Sequence, residues 1–294
     1  MKAEYITPAV TLFQEDGKPD FESLGRLYEY LIAGGVTGIL VLGSIGEFFA
    51  IDKEAKKEII RFAVEKVKGR TKILIGTNSM IPGETAELSR FALDLGADGV
   101  VVVPPYYFTL NQESIYEFYA DLAKSVEGDV YIYNFPDRTG YEISPEVIQR
   151  LAKEFPNIVG CKDTISGMDH TREIIKLVKP LRPDFKVYSG FDDNFAHNVL
   201  SGGDGCIGGL SNVVPGFFKE WMDAFAENDL EAVGQKQQAV NRMMDIYGIG
   251  VPFVPYIKAV LAELGIVKSG RSTFPLPKAA KEEIERAVEI IKRQ

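Results

Sequence analysis

The chain has 294 residues, 46% hydrophobic and 26% charged, an ordinary globular composition with length enough for a large core. Its 33 Lys and Arg stand against 42 Asp and Glu, a net charge of −9, and no basic run of five or more occurs, so nucleic acid is not an expected partner. An anionic small substrate stays open, because a cleft needs only a few local cations.

In chain order, short apolar runs alternate with amphipathic stretches. Strands are predicted at Ile6–Leu12, Gly38–Leu42, Lys72–Gly76, Gly99–Val103, Val130–Asn134, Ile158–Lys162, Lys186–Ser189 and Gly205–Gly208. Runs such as Val100-Val101-Val102-Val103 are continuous rather than alternating, which suits parallel strands buried on both faces. Helices are predicted between them at Phe21–Ala33, Lys53–Val67, Pro82–Leu95, Gln112–Val126, Ser144–Glu154, Asp169–Leu177 and Asp193–Ser201. Asp52, Asn111 and Ser144 stand where N-caps belong, and Gly34-Gly35, Gly69, Gly96 and Gly202-Gly203 mark helix ends. From Phe217 onward only helices are predicted, at Phe217–Glu227, Leu230–Tyr247, Phe253–Leu264 and Lys278–Lys292.

Strands alternating with helices predict an α/β fold, a (β/α)8 TIM barrel with a C-terminal helical extension. A doubly wound sheet is the rival, and the absence of G-x-G-x-x-G after the first strand disfavours it. Residues 1–216 are read as the barrel carrying the active site, and 217–294 as a helical subdomain packed on its outside or building an oligomer contact. Two cysteines, Cys161 and Cys206, exclude a disulfide framework by number and fit a reducing, cytoplasmic setting. The two histidines, His170 and His197, have no acidic or thiol partner at ligand spacing, so no metal is expected. The start Met1-Lys2-Ala3-Glu4-Tyr5 has no long apolar core, and neither signal peptide nor membrane span is expected.

In such a barrel the loops after the strands form the active face. Lys162 ends one apolar run and Tyr133 closes the strand before it. A lysine after a buried strand commonly marks only the point where the chain reaches water. In a partly dry site, however, burial favours the neutral amine, which attacks the carbonyl of a 2-oxo acid. The iminium so formed is an electron sink for carbon–carbon bond cleavage or formation. A nearby phenol such as Tyr133 is suited to move the protons. The Gly43–Glu47 loop, with Ser44, offers backbone N–H groups to a carboxylate or is simply a tight turn. Gly208-Gly209 cradles a phosphate or is another such turn. Asp192 and Asp193 accept from substrate hydroxyls, or one of them caps the next helix.

Tyr133-Asn134-Phe135-Pro136…Thr139-Gly140, followed by Ile158-x-Gly160-x-Lys162-Asp163-Thr164, resembles the signature of the pyruvate-dependent class I aldolases that include dihydrodipicolinate synthase and N-acetylneuraminate lyase. The likeness runs over the whole chain, including Gly43-Ser44…Gly46-Glu47 and the helical tail. It implies that Lys162 is the Schiff-base lysine, that Tyr133 is the proton shuttle, and that no cofactor is needed beyond the covalent imine. It implies that Ser44 and the loop amides through Gly46 bind the pyruvoyl carboxylate. Ile45 stands where other members carry a second hydroxyl, which puts the usual relay through that position in doubt. Tyr107 is similar to the tyrosine that the family inserts into a neighbouring subunit's site, so a homotetramer, a dimer of dimers, is implied.

Gly190-Phe191-Asp192-Asp193 and the Lys-Asp-Thr triplet are most similar to 2-keto-3-deoxygluconate aldolases, whose matching aspartates bind chain hydroxyls. Thr164, Gly190, Asp192, Asp193 and Gly209 are therefore expected to bind substrate. Arg138, in Pro-x-Arg-Thr-Gly, resembles the arginine with which dihydrodipicolinate synthases hold a carboxylate. The expected reaction is aldol cleavage of a 2-keto-3-deoxy sugar acid to pyruvate and an aldehyde. Condensation of pyruvate with aspartate semialdehyde is the alternative. A sugar-acid binder without turnover and a phosphate-handling barrel are the other classes.

Overall fold

The computed structural model describes residues 1–292. Its eight strands are β1 Glu4–Pro8, β2 Gly38–Val41, β3 Lys72–Gly76, β4 Gly99–Val102, β5 Val130–Asn134, β6 Ile158–Asp163, β7 Lys186–Ser189 and β8 Gly205–Ile207. They follow one another in sequence order around a closed barrel. The fold is a (β/α)8 TIM barrel with a C-terminal helical extension. The helices are α1 Phe21–Ala33, α2 Lys53–Val67, α3 Pro82–Asp94, α4 Gln112–Ser125, α5 Pro136–Thr139, α6 Pro145–Glu154, α7 Asp169–Val178, α8 Phe195–Leu200, α9 Pro215–Glu227, α10 Leu230–Met243, α11 Val254–Glu263 and α12 Lys281–Ile291.

Helix starts follow from side-chain chemistry. Asp52, Asn111 and Ser144 accept from the backbone N–H groups of Ala55, Ser114 and Val147, satisfying donors that the first turn leaves over. Proline at the first helical position opens α6 and α9, where the missing N–H costs nothing.

Contacts group the chain into two compact units. One comprises residues 1–73 with those from 208 on. In it β1 and β2 pair in parallel, Ile6 opposite Gly38. Tyr5 stacks on Phe218 of α9, with ring centroids 4.0 Å apart, and Phe218 packs on the buried Trp221. Asn212 bonds Pro8 O and Val10 N at 2.9 and 3.1 Å. β1 ends at Pro8 rather than Leu12: Ala9 N still reaches Leu40 O of β2 at 2.9 Å, but the next donor, Val10 N, goes to the Asn212 side chain instead of a strand.

The other unit, residues 74–207, holds the parallel run from β4 to β8. Every residue of β4 and β5 is buried. Three helices, α10, α8 and α12, are shorter than expected by more than a residue or two. α10 stops at Met243 and tightens into a 3-10 turn, Met244–Gly248, that ends on Gly248, with Gly250 close behind; glycine holds a helix poorly. α8 starts only at Phe195, after a 3-10 turn over Asp192–Asn194. α12 begins at Lys281, where the Glu283 carboxylate takes the Ala280 N–H at 2.7 Å.

Candidate active site

Strand register brings the two principal candidates together. In the β5–β6 ladder Tyr133 stands opposite Lys162, and Asn134 opposite Asp163. Side chains at matching register on adjacent parallel strands leave the same face, so the phenol and the amine are neighbours by construction. Lys162 is only 5% exposed, and its Nζ lies 4.4 Å from the centroid of the Tyr133 ring. No ion pair or hydrogen bond engages that amine among the described residues. Most buried lysines are tied to a carboxylate, as Lys258 is here; one left over a ring face is available for covalent chemistry.

An aromatic series continues outward from Tyr133. Phe135 stacks on it at 5.9 Å with an interplanar angle of 24°, and Phe191 meets Phe135 edge-on at 6.3 Å. The exposed Arg138 guanidinium lies 5.2 Å from the Phe135 ring centroid and, among the described residues, donates only to the neighbouring Asp137 carbonyl, at 3.3 Å. It therefore remains open to an anion. Tyr141, just past this segment, ties it to the loop after β4: its hydroxyl donates to Pro105 O, and burial pushes the phenol up to about 12.

Thr164 is buried, and its Oγ1 has no hydrogen-bond partner among the described residues. Gly190 abuts it so closely that a Cβ there would sit 1.8 Å from Oγ1, so only glycine fits. Asp192 is buried, and Asp193 is half-buried with its carboxyl pushed up by desolvation. Neither begins α8, whose cap position is Asn194. Tyr107 is 81% exposed on the loop after β4 and meets Phe108 edge-on at 5.1 Å.

The remaining candidates belong to the first unit. Ser44, Ile45 and Gly46 form a 3-10 turn after β2, which Glu47 terminates in the left-handed conformation with φ 57°. Thr11 Oγ1 donates to Gly46 O at 2.6 Å and holds the turn. Gly209 faces Tyr247 and Ile45: a Cβ there would lie 2.7 Å from the Tyr247 hydroxyl and 3.5 Å from Ile45 Cδ1. Glu47 is fully buried. Its Oε2 accepts from Thr273 N and Oγ1 at 2.7 and 2.6 Å, and its Oε1 meets the Lys258 ammonium.

Sequence reasoning missed Tyr141, Tyr247, Lys258 and His170. Lys258 carried a signal: a lone charge inside the apolar run Val254–Leu261 needs a buried partner. His170 carried none, since its acidic partner Asp163 lies on a preceding strand.

A (β/α)8 barrel with a buried lysine, unpaired among the described residues, beside a tyrosine at adjacent strand ends has the groups that imine chemistry on a carbonyl needs. The model of the Dihydrodipicolinate synthetase family matches residues 1–294, and the chain belongs to that family. It is a lyase. A 4-hydroxy-tetrahydrodipicolinate synthase of Kosmotoga olearia is 40% identical over 274 residues, 93% of this chain and 91% of its own. The putative 2-dehydro-3-deoxy-D-gluconate aldolase YagE of Escherichia coli K12 is 37% identical over 277 residues, 94% of this chain and 90% of its own. The crystal structure of YagE in complex with pyruvate superposes with a TM-score of 0.95 at 34% identity, covering 99% of this chain and 98% of that one. No helix among the described residues is long and apolar enough to cross a membrane.

Proposed function

We propose that this lyase forms an imine between Lys162 and a 2-oxo acid, and cleaves a 2-keto-3-deoxy sugar acid to pyruvate and an aldehyde. The observation that carries the reading is the unpaired, buried Lys162 amine 4.4 Å from the Tyr133 ring centroid. The neutral amine attacks C2, and water leaves to give the protonated imine. A base, assigned to Tyr133, takes the proton of the C4 hydroxyl. The C3–C4 bond electrons flow into the iminium, and the aldehyde departs. The enamine then gains a proton at C3, and hydrolysis frees pyruvate and the lysine. The iminium supplies the electron sink, so no cofactor is required.

Thr164, Gly190, Asp192 and Asp193 are assigned to the hydroxylated part of the substrate. Buried Thr164 Oγ1 without a partner, and a half-buried carboxyl held up by desolvation, suit hydroxyl recognition. Carboxylate binding by Ser44, Ile45 and Gly46, substrate contact at Gly209, and a homotetramer using Tyr107 rest on the family resemblance. Arg138 favours a second reading, the condensation of pyruvate with aspartate semialdehyde, because its open guanidinium suits a second carboxylate.

Borohydride reduction with pyruvate is expected to add one three-carbon unit, mapped to Lys162. An adduct on another peptide overturns the assignment, and ligand binding without adduct or turnover makes the chain a sugar-acid binder. Pyruvate release from 2-keto-3-deoxygluconate, compared with pyruvate–semialdehyde condensation by the same preparation, decides between the two lyase readings.

A further inference from the structure

On the opposite face of the strands from Lys162, polar groups from four segments close a ring. Asn134 and Asp163 alternate with Tyr133 and Lys162, so they leave the other face of β5 and β6. There Asn134 Nδ2 donates to Asp163 Oδ1 at 2.7 Å, and Ile143 N donates to Asn134 Oδ1 at 3.0 Å. His170, in the first turn of α7, completes the circuit. Its Nδ1 lies 3.0 Å from Asp163 Oδ2, and its Nε2 lies 2.9 Å from Ile143 O. Thr171 Oγ1 adds a further bond to Asp163 Oδ2 at 2.6 Å.

Both nitrogens of the ring thus face oxygens that carry no proton to give. Either neutral tautomer would press a lone pair against a carboxylate or a carbonyl. Only the imidazolium satisfies both contacts. The charged groups facing it are Asp163 from β6, Glu142 from the segment before α6, with a carboxylate oxygen 3.6 Å from Nε2, and Glu146 of α6 at longer range. On its own helix, Asp169 and Arg172 are exposed and pair with each other. Burial opposes the charged ring, but the hydrogen bond and charge of Asp163, then Glu142, outweigh it and hold His170 above its ordinary value.

We propose that His170 is a positioning residue for the imine chemistry assigned above, on which this inference rests: as an imidazolium it clamps Asp163, and with it the carboxyl ends of β5 and β6, so that the Lys162 amine stays over Tyr133. Loss of the proton sets a lone pair against Asp163 or Ile143 and opens the ring. The sign follows from the raised value. The clamp is complete below the ordinary histidine range of about 6.5 and is lost as pH rises through the higher folded value. Imine formation has an alkaline limb of its own, because loss of water from the carbinolamine and reduction both need the protonated iminium. The clamp adds a further descent, present in the native chain and absent when His170 cannot titrate.

The test uses the native chain. Its two histidines give two ring spin systems in nitrogen-15 spectra, and His197→Ala assigns the other to His170. Both His170 ring nitrogens are expected to be protonated at neutral pH. The rate of pyruvate–borohydride trapping at Lys162 is expected to fall over the same interval in which that ring loses its proton. His170→Gln should lose the histidine-dependent part of this limb and lower kcat by roughly 10²-fold with KM for the keto acid nearly unchanged, as expected of a misplaced amine. A neutral His170 ring at pH 7 overturns the proposal. So does an alkaline limb shared unchanged by the native chain and His170→Gln. If that variant does not fold, the native titration and trapping curves still decide. Absence of any adduct on the native chain sinks the imine reading and this clamp with it, whereas adduct formation indifferent to His170 sinks the clamp alone.

Discussion

Lys258 and Glu47 are both fully buried and form an ion pair beside the turn that carries Ser44 and Ile45. The perturbation is Lys258→Met. Lys258 Nζ also donates to Arg271 O at 3.0 Å and lies 4.7 Å from the Phe13 ring centroid, so nothing hydrated replaces it. Removing it leaves Glu47 ionised in the interior with, among the described residues, the two Thr273 donors, a loss of about 3–5 kcal/mol. The pair is not a net gain over an apolar one. Burial lowers Lys258 to about 8 despite the Glu47 carboxylate, so relative to its ordinary 10.5 the charged form is disfavoured by roughly 3 kcal/mol. Lys258→Met with Glu47→Gln should therefore recover most of the loss, giving a coupling energy of about 2–4 kcal/mol in a double-mutant cycle.

Urea unfolding of the four proteins measures the cycle. The pH dependence is a second check. Because the folded value lies below the unfolded one, the unfolded chain binds more protons between about 8 and 10.5, and native stability should rise with pH across that window. In Lys258→Met the rise should be absent. Singles that sum to the double within about 0.5 kcal/mol would refute the pairing argument.

Tyr133→Phe keeps the ring under the amine but removes the proton carrier; borohydride trapping at Lys162 should persist while aldol turnover drops by about 10²–10⁴-fold. Lys162→Ala should abolish both adduct and turnover and leave the circular dichroism spectrum intact. Gly190→Ala forces a Cβ within 2.6 Å of Thr164 Cβ and should cost about 1–3 kcal/mol, read as a lower unfolding midpoint. Arg138→Ala should raise KM for aspartate semialdehyde at least tenfold if that is the native substrate, and leave cleavage of a monocarboxylic sugar acid nearly unchanged.

The barrel was legible because its strands are continuous apolar runs; β3, β5 and β7 begin and end where the pattern changes. The pairing of Tyr133 with Lys162 was legible for the same reason, since each lies toward the carboxyl end of its strand. What could not be read was any contact joining residues distant in sequence and set by packing. Glu47 to Lys258, Tyr141 to Pro105 and Ile45 to Gly209 depend on three-dimensional closure, which no local period encodes. The α8 and α10 boundaries were misread because helical periodicity does not distinguish a 3-10 turn from the last or first turn of an α-helix.

The two faces of the β5–β6 pair are bound to one register. Tyr133 and Lys162 use one face, Asn134 and Asp163 the other, and all four belong to two consecutive ladder positions. A slip of one residue would carry Asp163 to the face that now holds the amine and Lys162 into the ring of Asn134, His170 and Ile143. A lysine there would meet His170 as a like charge, and the ring's acceptors would lose their anionic partner. The buried ring therefore acts as a register lock: the arrangement that satisfies Asp163 is the same one that delivers Lys162 to Tyr133. This makes the polar cluster behind the strands as much a determinant of the site as the residues within it.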